Sequence, residues 1–318
     1  ITSLRTAIAD SMNIVAVKTL NDITPKTGYD YLLNLGFTTL VDNYTNTSGK
    51  TYTDISLPLA LGGLTKGVTN LELTSGFATI ANGGVYQRPS FYTKILDHDG
   101  NVLLDNTGGQ EAKSVIKDST AWLLTNAMED VIQKGTGKLL KFRNLPMAQA
   151  GKTGTSTGNR DLWFVGYTPN LTAGIWGGYD SNRKQNQTSY HKNLWRDIME
   201  TLNRNYTVSS FQKPSSVTTE SICTKCGKLA IEELCNRAIG GSCEKKEFFA
   251  IDSVPTETCD CHIRCKICRT SGRLAGDGCP ASQIYTAVYL QKNESAQTSD
   301  SSLVVPNYLS GSICEVHN

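Results

Sequence analysis

The 318-residue chain has no apolar run of the ~18 residues a membrane helix needs, so no membrane-spanning helix is expected within it. It also lacks an excess of charge of one sign. Its 31 basic and 29 acidic side chains leave a net charge of +2, which excludes the strongly basic surface that nucleic-acid binding asks for. Charged residues make up only 19% and hydrophobic ones 39%, the mix of a globular domain and not of a disordered chain. An initiator Met and a signal sequence are missing, and the chain opens mid-pattern at Ile1. The expectation is therefore a piece of a longer protein. Cysteine is absent from the first 222 residues, while all ten cysteines lie between Cys223 and Cys314. That clustering is typical of small modules held by disulfides or metal, and it divides the chain.

Three parts follow: a main domain over 1–207, a linker over 208–219 and a Cys-rich tail over 220–318. The stretch Val208–Ser216 (VSSFQKPSS) has the Ser/Pro composition of a linker. In the main domain, Leu4, Ala7, Ile8, Ser11, Met12 and Val15 recur at helical spacing and predict one amphipathic helix over Thr2–Leu20, limited by Pro25. Further helices are expected over Tyr29–Leu35, Asn70–Asn82, Ser119–Lys134 and His191–Leu202. The last should present Leu194, Trp195, Ile198 and Met199 on one face. Asp42–Asp54 reads as a polar loop. Tyr92–Leu96 and Val102–Leu104 flank a His98-Asp99-Gly100 turn and predict a hairpin. Three strands follow over Ala148–Thr155, Asp161–Tyr167 and Thr172–Tyr179, the last two joined at Thr168-Pro169-Asn170. Helices first and a meander later indicate α+β and not βαβ.

Two short motifs could carry chemistry: Ser11-Met12-Asn13, and Lys152-Thr153-Gly154-Thr155-Ser156 at the first strand of the trio. Alone, each is weak: the first occurs by chance in most proteins as a polar patch on a helix, and a lone copy of the second is more often a turn than a site. Their company is specific. SLRTAIADSMNIVAVKTL, GGLTKGVTNLELTSGFATIANGGVY, a helix ending in VIQKGTG, AGKTGTS, LWFVGYTPNLTAGIWGGYD and NLWRDIM occur in one order. Together they resemble the transpeptidase domain of class A penicillin-binding proteins, continuously from residue 1 to about 202.

The resemblance implies the penicillin-binding, serine β-lactamase-like fold, an antiparallel sheet flanked by helices and here partial, and a peptidoglycan D,D-transpeptidase that works through a serine acyl-enzyme and is inhibited by β-lactams. The family's third motif, Ser-x-x-Lys, carries the nucleophile and normally precedes Ser-x-Asn. Only ten residues precede Ser11, and the pattern recurs downstream only at Ser114, Ser181, Ser189, Ser210 and Ser242, in the wrong order. The nucleophile is therefore expected on a missing segment or a second polypeptide, and this chain is expected to be inactive alone. The resemblance assigns catalytic roles to Ser11 as proton relay, to Asn13 as holder of substrate and of the missing Lys, and to Lys152 as an electrostatic group. It assigns substrate binding to Thr153 and Thr155, whose hydroxyls suit a terminal carboxylate, and to Gly154, which lets substrate lie along the strand. The Thr155 N–H is a candidate oxyanion donor. Expected partners are D-Ala-D-Ala stem peptides and β-lactams, with no catalytic cofactor and no nucleic acid. The parent should add a glycosyltransferase domain and an anchor, placing this domain on the extracellular face of a bacterial cell membrane. The rivals are a β-lactamase or D,D-carboxypeptidase of the same superfamily, and a non-catalytic cell-wall-binding protein.

Other residues have plainer readings. Trp163, Trp176 and Trp195 suit core packing. Asp161 reads as a cap or surface charge, His98 as a solvated turn tip and His191 as a surface residue. The glycines of 151–158 form no phosphate loop, because Gly-x-x-x-x-Gly-Lys is absent.

The tail repeats itself. Ile222–Ala230 (ICTKCGKLA) and Ile267–Ala275 (ICRTSGRLA) are nearly one phrase, each followed by a further Cys and closed by Cys-x-x-His. Two modules result, about 222–262 and 267–317, each with three Cys and one His in the same order. These are Cys223, Cys235, Cys259 and His262, then Cys268, Cys279, Cys314 and His317. Two readings stay open: structural zinc on these tetrads, or disulfides, which an extracellular setting favours. Cys223-x-x-Cys226 and Cys265-x-x-Cys268 could instead join in one four-sulfur site. A catalytic zinc is not expected.

Overall fold

A computed structural model describes residues 2–108, 112–291 and 313–317. They form two compact units, Thr2–Pro214 and the tail from Ser215 onward.

The first unit is α+β. Where periodicity predicts one helix over Thr2–Leu20, there are two: α1 (Leu4–Asp10) and α2 (Asn13–Ile23). Ser11 stands between them at φ 56°, ψ 49°. Its N–H returns to the Ile8 carbonyl at 3.3 Å and that of Met12 to Ala7 at 2.9 Å, a Schellman closure. The left-handed position in that closure usually takes glycine, and a serine there costs about 1–2 kcal/mol. The apolar spacing continues across the break, so periodicity could not reveal it.

Helix α3 (Pro25–Asn34) starts on a Thr24 cap with Pro25 at its first turn, where a missing N–H costs nothing. The stretch read as a polar loop holds a small hairpin, Tyr44–Thr45 against Thr51–Tyr52. Helix α4 (Asn70–Ala81) opens with a capping box between Thr69 and Glu72. Lys94–Leu96 and Val102–Asp105 form the expected hairpin, and α5 (Asp118–Gln133) buries a long apolar face.

Strands β1 (Ala150–Thr155), β2 (Leu162–Tyr167) and β3 (Thr172–Gly177) make an antiparallel sheet in that order. Lys152 pairs with Val165 and Gly154 with Trp163. A core lies between the sheet and α6 (Tyr190–Asn203), where Phe164 meets Trp195 edge-on at 4.8 Å. Gly151 and Gly166, opposite each other, make room for that phenyl ring: a Cβ on either would lie 2.6 Å from it. Two expectations fail here. The buried face of α6 carries His191, Trp195 and Met199, while Leu194 and Ile198 face solvent. His191 is 1% exposed, neither ring nitrogen has a hydrogen-bond partner among the described residues, and burial, then Lys192, push its pKa down to about 4. The sequence pattern missed this because a buried neutral imidazole looks like a polar residue.

The stretch expected as a linker is divided. Ala148 donates to the Ser209 carbonyl and Phe211 packs edge-on against Tyr167, while β4 begins at Val217.

In the tail, β4 (Val217–Cys223) pairs with β5 (Glu244–Ala250), and β6 (His262–Cys268) with β7 (Ile284–Leu290). The sequence repeat is also a structural one. In the first copy Ile222 bridges Leu229, which bridges Thr258; in the second Ile267 bridges Leu274, which bridges Ile313. Gly227 and Gly272 turn each phrase at positive φ. Residues 292–312 of the second module lie outside the described residues.

Candidate functional site

The break that puts Ser11 in a left-handed conformation presents its hydroxyl at the end of α1. There the Lys152 ammonium, 141 residues away on β1, donates to the Ser11 Oγ at 2.7 Å and to the Thr153 carbonyl at 3.0 Å. Asn13 is exposed at the first position of α2. The end of α5 closes the arrangement. Thr136 donates its N–H to the Ala9 carbonyl at 3.1 Å and shares a hydroxyl–hydroxyl hydrogen bond of 2.7 Å with Thr153. Lys192 of α6 donates to the Thr136 carbonyl at 3.2 Å.

Burial, then the neighbouring Lys192 ammonium, pushes Lys152 down to about 8. Lys192 is itself lowered by burial. Neither ammonium meets a carboxylate within salt-bridge distance among the described residues, so two partly desolvated cations share one region. That field favours an anion. Thr136 and Lys192 were missed in the sequence. The run Gly135-Thr136-Gly137 directly after α5 was the available signal for Thr136; Lys192 carried none.

Beside these groups runs an apolar groove of about 940 Å³. Lys152, Gly154, Trp163, Val165 and Trp176 line its sheet side, with Leu73 and Phe77 of α4 across from them. Thr153, Thr155 and Ser156 also border it. Trp163 and Trp176 therefore border a groove; of the three tryptophans read as core, Trp195 is the fully buried one. Asp161 is not a free surface charge. Its carboxylate accepts from Ser156 Oγ at 2.9 Å and from Trp176 Nε1 at 3.1 Å, pinning the turn after β1. His98 stays at its exposed turn beside Asp99.

In the tail none of the ten cysteines is in a disulfide. Two matching groups could hold a metal ion: Cys223, Cys235, Cys259 and His262, and Cys268, Cys279, Cys314 and His317. A third, Cys223, Cys226, Cys259 and Cys261, shares two sulfurs with the first. The alternative joining Cys223-x-x-Cys226 to Cys265-x-x-Cys268 does not form. Cys265 packs with Ile267 on β6 and joins none of the three groups.

The transpeptidase domain family of penicillin-binding proteins matches residues 1–200. The C-terminal domain of penicillin-binding protein 1A matches residues 213–264. The chain belongs to the penicillin-binding protein transpeptidase family. It is 31% identical over 296 residues to penicillin-binding protein 1A of Clostridium botulinum, covering 92% of this chain and 34% of that protein. It is 35% identical over 218 residues to penicillin-binding protein 1F of Bacillus subtilis, covering 66% and 28%. The chain thus spans about a third of the length of these curated relatives. Penicillin-binding protein 1A from Haemophilus influenzae superposes with a TM-score of 0.62 at 22% identity, over 81% of this chain and 41% of that one. PonA1 from Mycobacterium tuberculosis, in complex with penicillin V, gives 0.56 at 23% identity, over 67% and 59%. At these identities the likeness is one of fold.

Proposed function

We propose that this chain is the C-terminal portion of a D,D-transpeptidase that cross-links peptidoglycan stem peptides and is acylated by β-lactams. The observation that carries the reading is the Ser11–Lys152 hydrogen bond of 2.7 Å, made by a lysine that also lines an apolar groove. The nucleophilic Ser-x-x-Lys belongs to a segment outside these residues, seated so that its serine and lysine reach Ser11 and Lys152. The parent adds a glycosyltransferase domain and a membrane anchor, and works on the extracellular face of a bacterial cell.

In the proposed reaction, the serine oxygen bonds to the carbonyl carbon of the penultimate D-Ala. The peptide bond breaks and the terminal D-Ala leaves as an amine carrying the serine proton. An amine of a second stem peptide then attacks the ester, and its proton returns to the serine. Ser11 can relay these protons because a hydroxyl donates and accepts at once. Asn13 would hold the substrate peptide and the nucleophile's lysine. Lys152, with Thr153 and Thr155, would hold the terminal carboxylate, as the two adjacent ammonium groups allow. Gly154 leaves the outer edge of β1 open for an added peptide strand, and the Thr155 N–H serves as an oxyanion donor.

The test is labelled penicillin applied to the longer protein and to this chain. Stable covalent label on the longer protein, lost in Lys152→Ala and absent from this chain alone, is the expected outcome. Rapid release of the label would indicate a hydrolase of the same superfamily. No covalent label on the longer protein would indicate a non-catalytic wall-binding protein.

A further inference from the structure

We infer that each module of the tail holds one structural zinc ion on the ligand set the two copies share: Cys223, Cys235, Cys259 and His262 in the first, Cys268, Cys279, Cys314 and His317 in the second. The distances fit a tetrahedron and not a disulfide. With bonds of about 2.3 Å to sulfur and 2.0–2.1 Å to nitrogen, tetrahedral zinc separates sulfur from nitrogen by about 3.5 Å. His262 Nδ1 lies 3.2, 3.6 and 3.7 Å from the sulfurs of Cys259, Cys223 and Cys235. His317 Nδ1 lies 3.4 and 3.5 Å from those of Cys268 and Cys314. Bonded sulfurs would be about 2.05 Å apart, and no pair is joined.

Cys261 also comes close, 3.8 Å from Cys223 and 3.6 Å from Cys259, so distance alone leaves the first ligand set ambiguous. The repeat resolves it. The backbone hydrogen bonds superimpose the copies: Cys223 N–H to Lys228 and Cys259 N–H to Leu229 in one, Cys268 N–H to Arg273 and Cys314 N–H to Leu274 in the other. In that register Cys226 corresponds to Ser271 and Cys261 to Val316. Both extra sulfurs vanish together in the second copy, while all four positions of the shared set persist. Cys226 and Cys261 are therefore outside the ligand set. The zinc ties three separated pieces of each module: the end of the first strand, the segment after the turn, and the closing Cys-x-x-His. A unit this small has little apolar core to do that work.

The test is zinc content and thiol count of the full chain, exported to an oxidising compartment and purified without chelator. It does not depend on acylation by β-lactams, so it stands or fails separately from the transpeptidase reading. Expected are two zinc ions per chain and ten thiols after denaturation in chelator without reductant. The Cys226→Ser/Cys261→Val variant should keep both ions, and the Cys314→Ser/His317→Ala variant should keep one. Cobalt substitution should give the absorption of tetrahedral thiolate sites in proportion, which reads ligand loss even where a variant folds poorly. None or one zinc ion, or thiols lost to disulfides, overturns the inference. Three ions, falling to two in the Cys226→Ser/Cys261→Val variant, overturn the exclusion of those two cysteines.

Discussion

Lys152 is held where its charge is costly. Burial and the nearby Lys192 lower its pKa to about 8, against the ordinary lysine value of 10.5. Below about pH 8 both the folded and unfolded chains carry the proton, and the folded one bears the desolvation cost. Between about 8 and 10.5 the unfolded chain binds more protons, so stability rises with pH, and above that range the cost is gone. Lys152→Met should therefore melt higher than the parent at pH 7, and the gap should close as pH rises toward 10.5. Thermal melts of the two proteins across that range check this, and a gap independent of pH would oppose it. Ser11 has the same character: a non-glycine residue in a left-handed conformation, kept there by two backbone hydrogen bonds. Strain of this kind persists only where the surroundings over-determine it, and here it aims the hydroxyl at Lys152.

At the scale of elements, the site depends on how α1 meets the end of α5. Gly135 is the contact point. A Cβ there would stand 2.2 Å from the Ala9 carbonyl oxygen and 2.8 Å from its carbon, both rigid backbone atoms of α1. Gly135→Ala must push α1 away and carry Ser11 with it. Such overpacking costs about 1–3 kcal/mol of stability, and a displacement of about 1 Å at a catalytic group costs on the order of 100-fold in rate. With Ser11 acting as proposed, the expected outcome is a modest fall in melting temperature with a much larger fall in penicillin acylation of the longer protein. Equal, small effects on both would show that α1 tolerates the shift. Glycines serve the opposite end of the site differently. Gly151 and Gly166 admit the Phe164 ring, which anchors the sheet on Trp195 of α6 and so sets the position of β1.

At the scale of the whole molecule, the two units rest on different physics. Thr2–Pro214 closes around aromatic and aliphatic side chains, while the tail packs around its sulfurs. With zinc in the tail, the chain should unfold in two thermal transitions, and a strong chelator should lower only one of them. Calorimetry with and without chelator reads this directly. A single transition, or a chelator effect on both, would mean that the units share their stability.

Much of this was legible in the residues themselves. The order of the quoted segments carried the family, because those phrases combine turn glycines, strand aromatics and polar motifs at particular places. The tail repeat was visible because ICTKCGKLA and ICRTSGRLA keep the same turn glycine and the same first cysteine. What sequence could not supply were approaches between distant segments. The break at Ser11 lies within unbroken apolar periodicity and depends on Gly135 and Thr136 meeting Ala9. Lys192 enters the site only because α6 packs behind the sheet, and His191 is buried by the same packing. Local order along a chain is written in neighbouring residues, so motifs, turns and repeats could be read there. The two tetrads of the tail belong to that legible part, because the repeat picks the four shared positions out of six nearby ligands. Which hydroxyl meets which ammonium is decided by long-range packing, where no local pattern reaches.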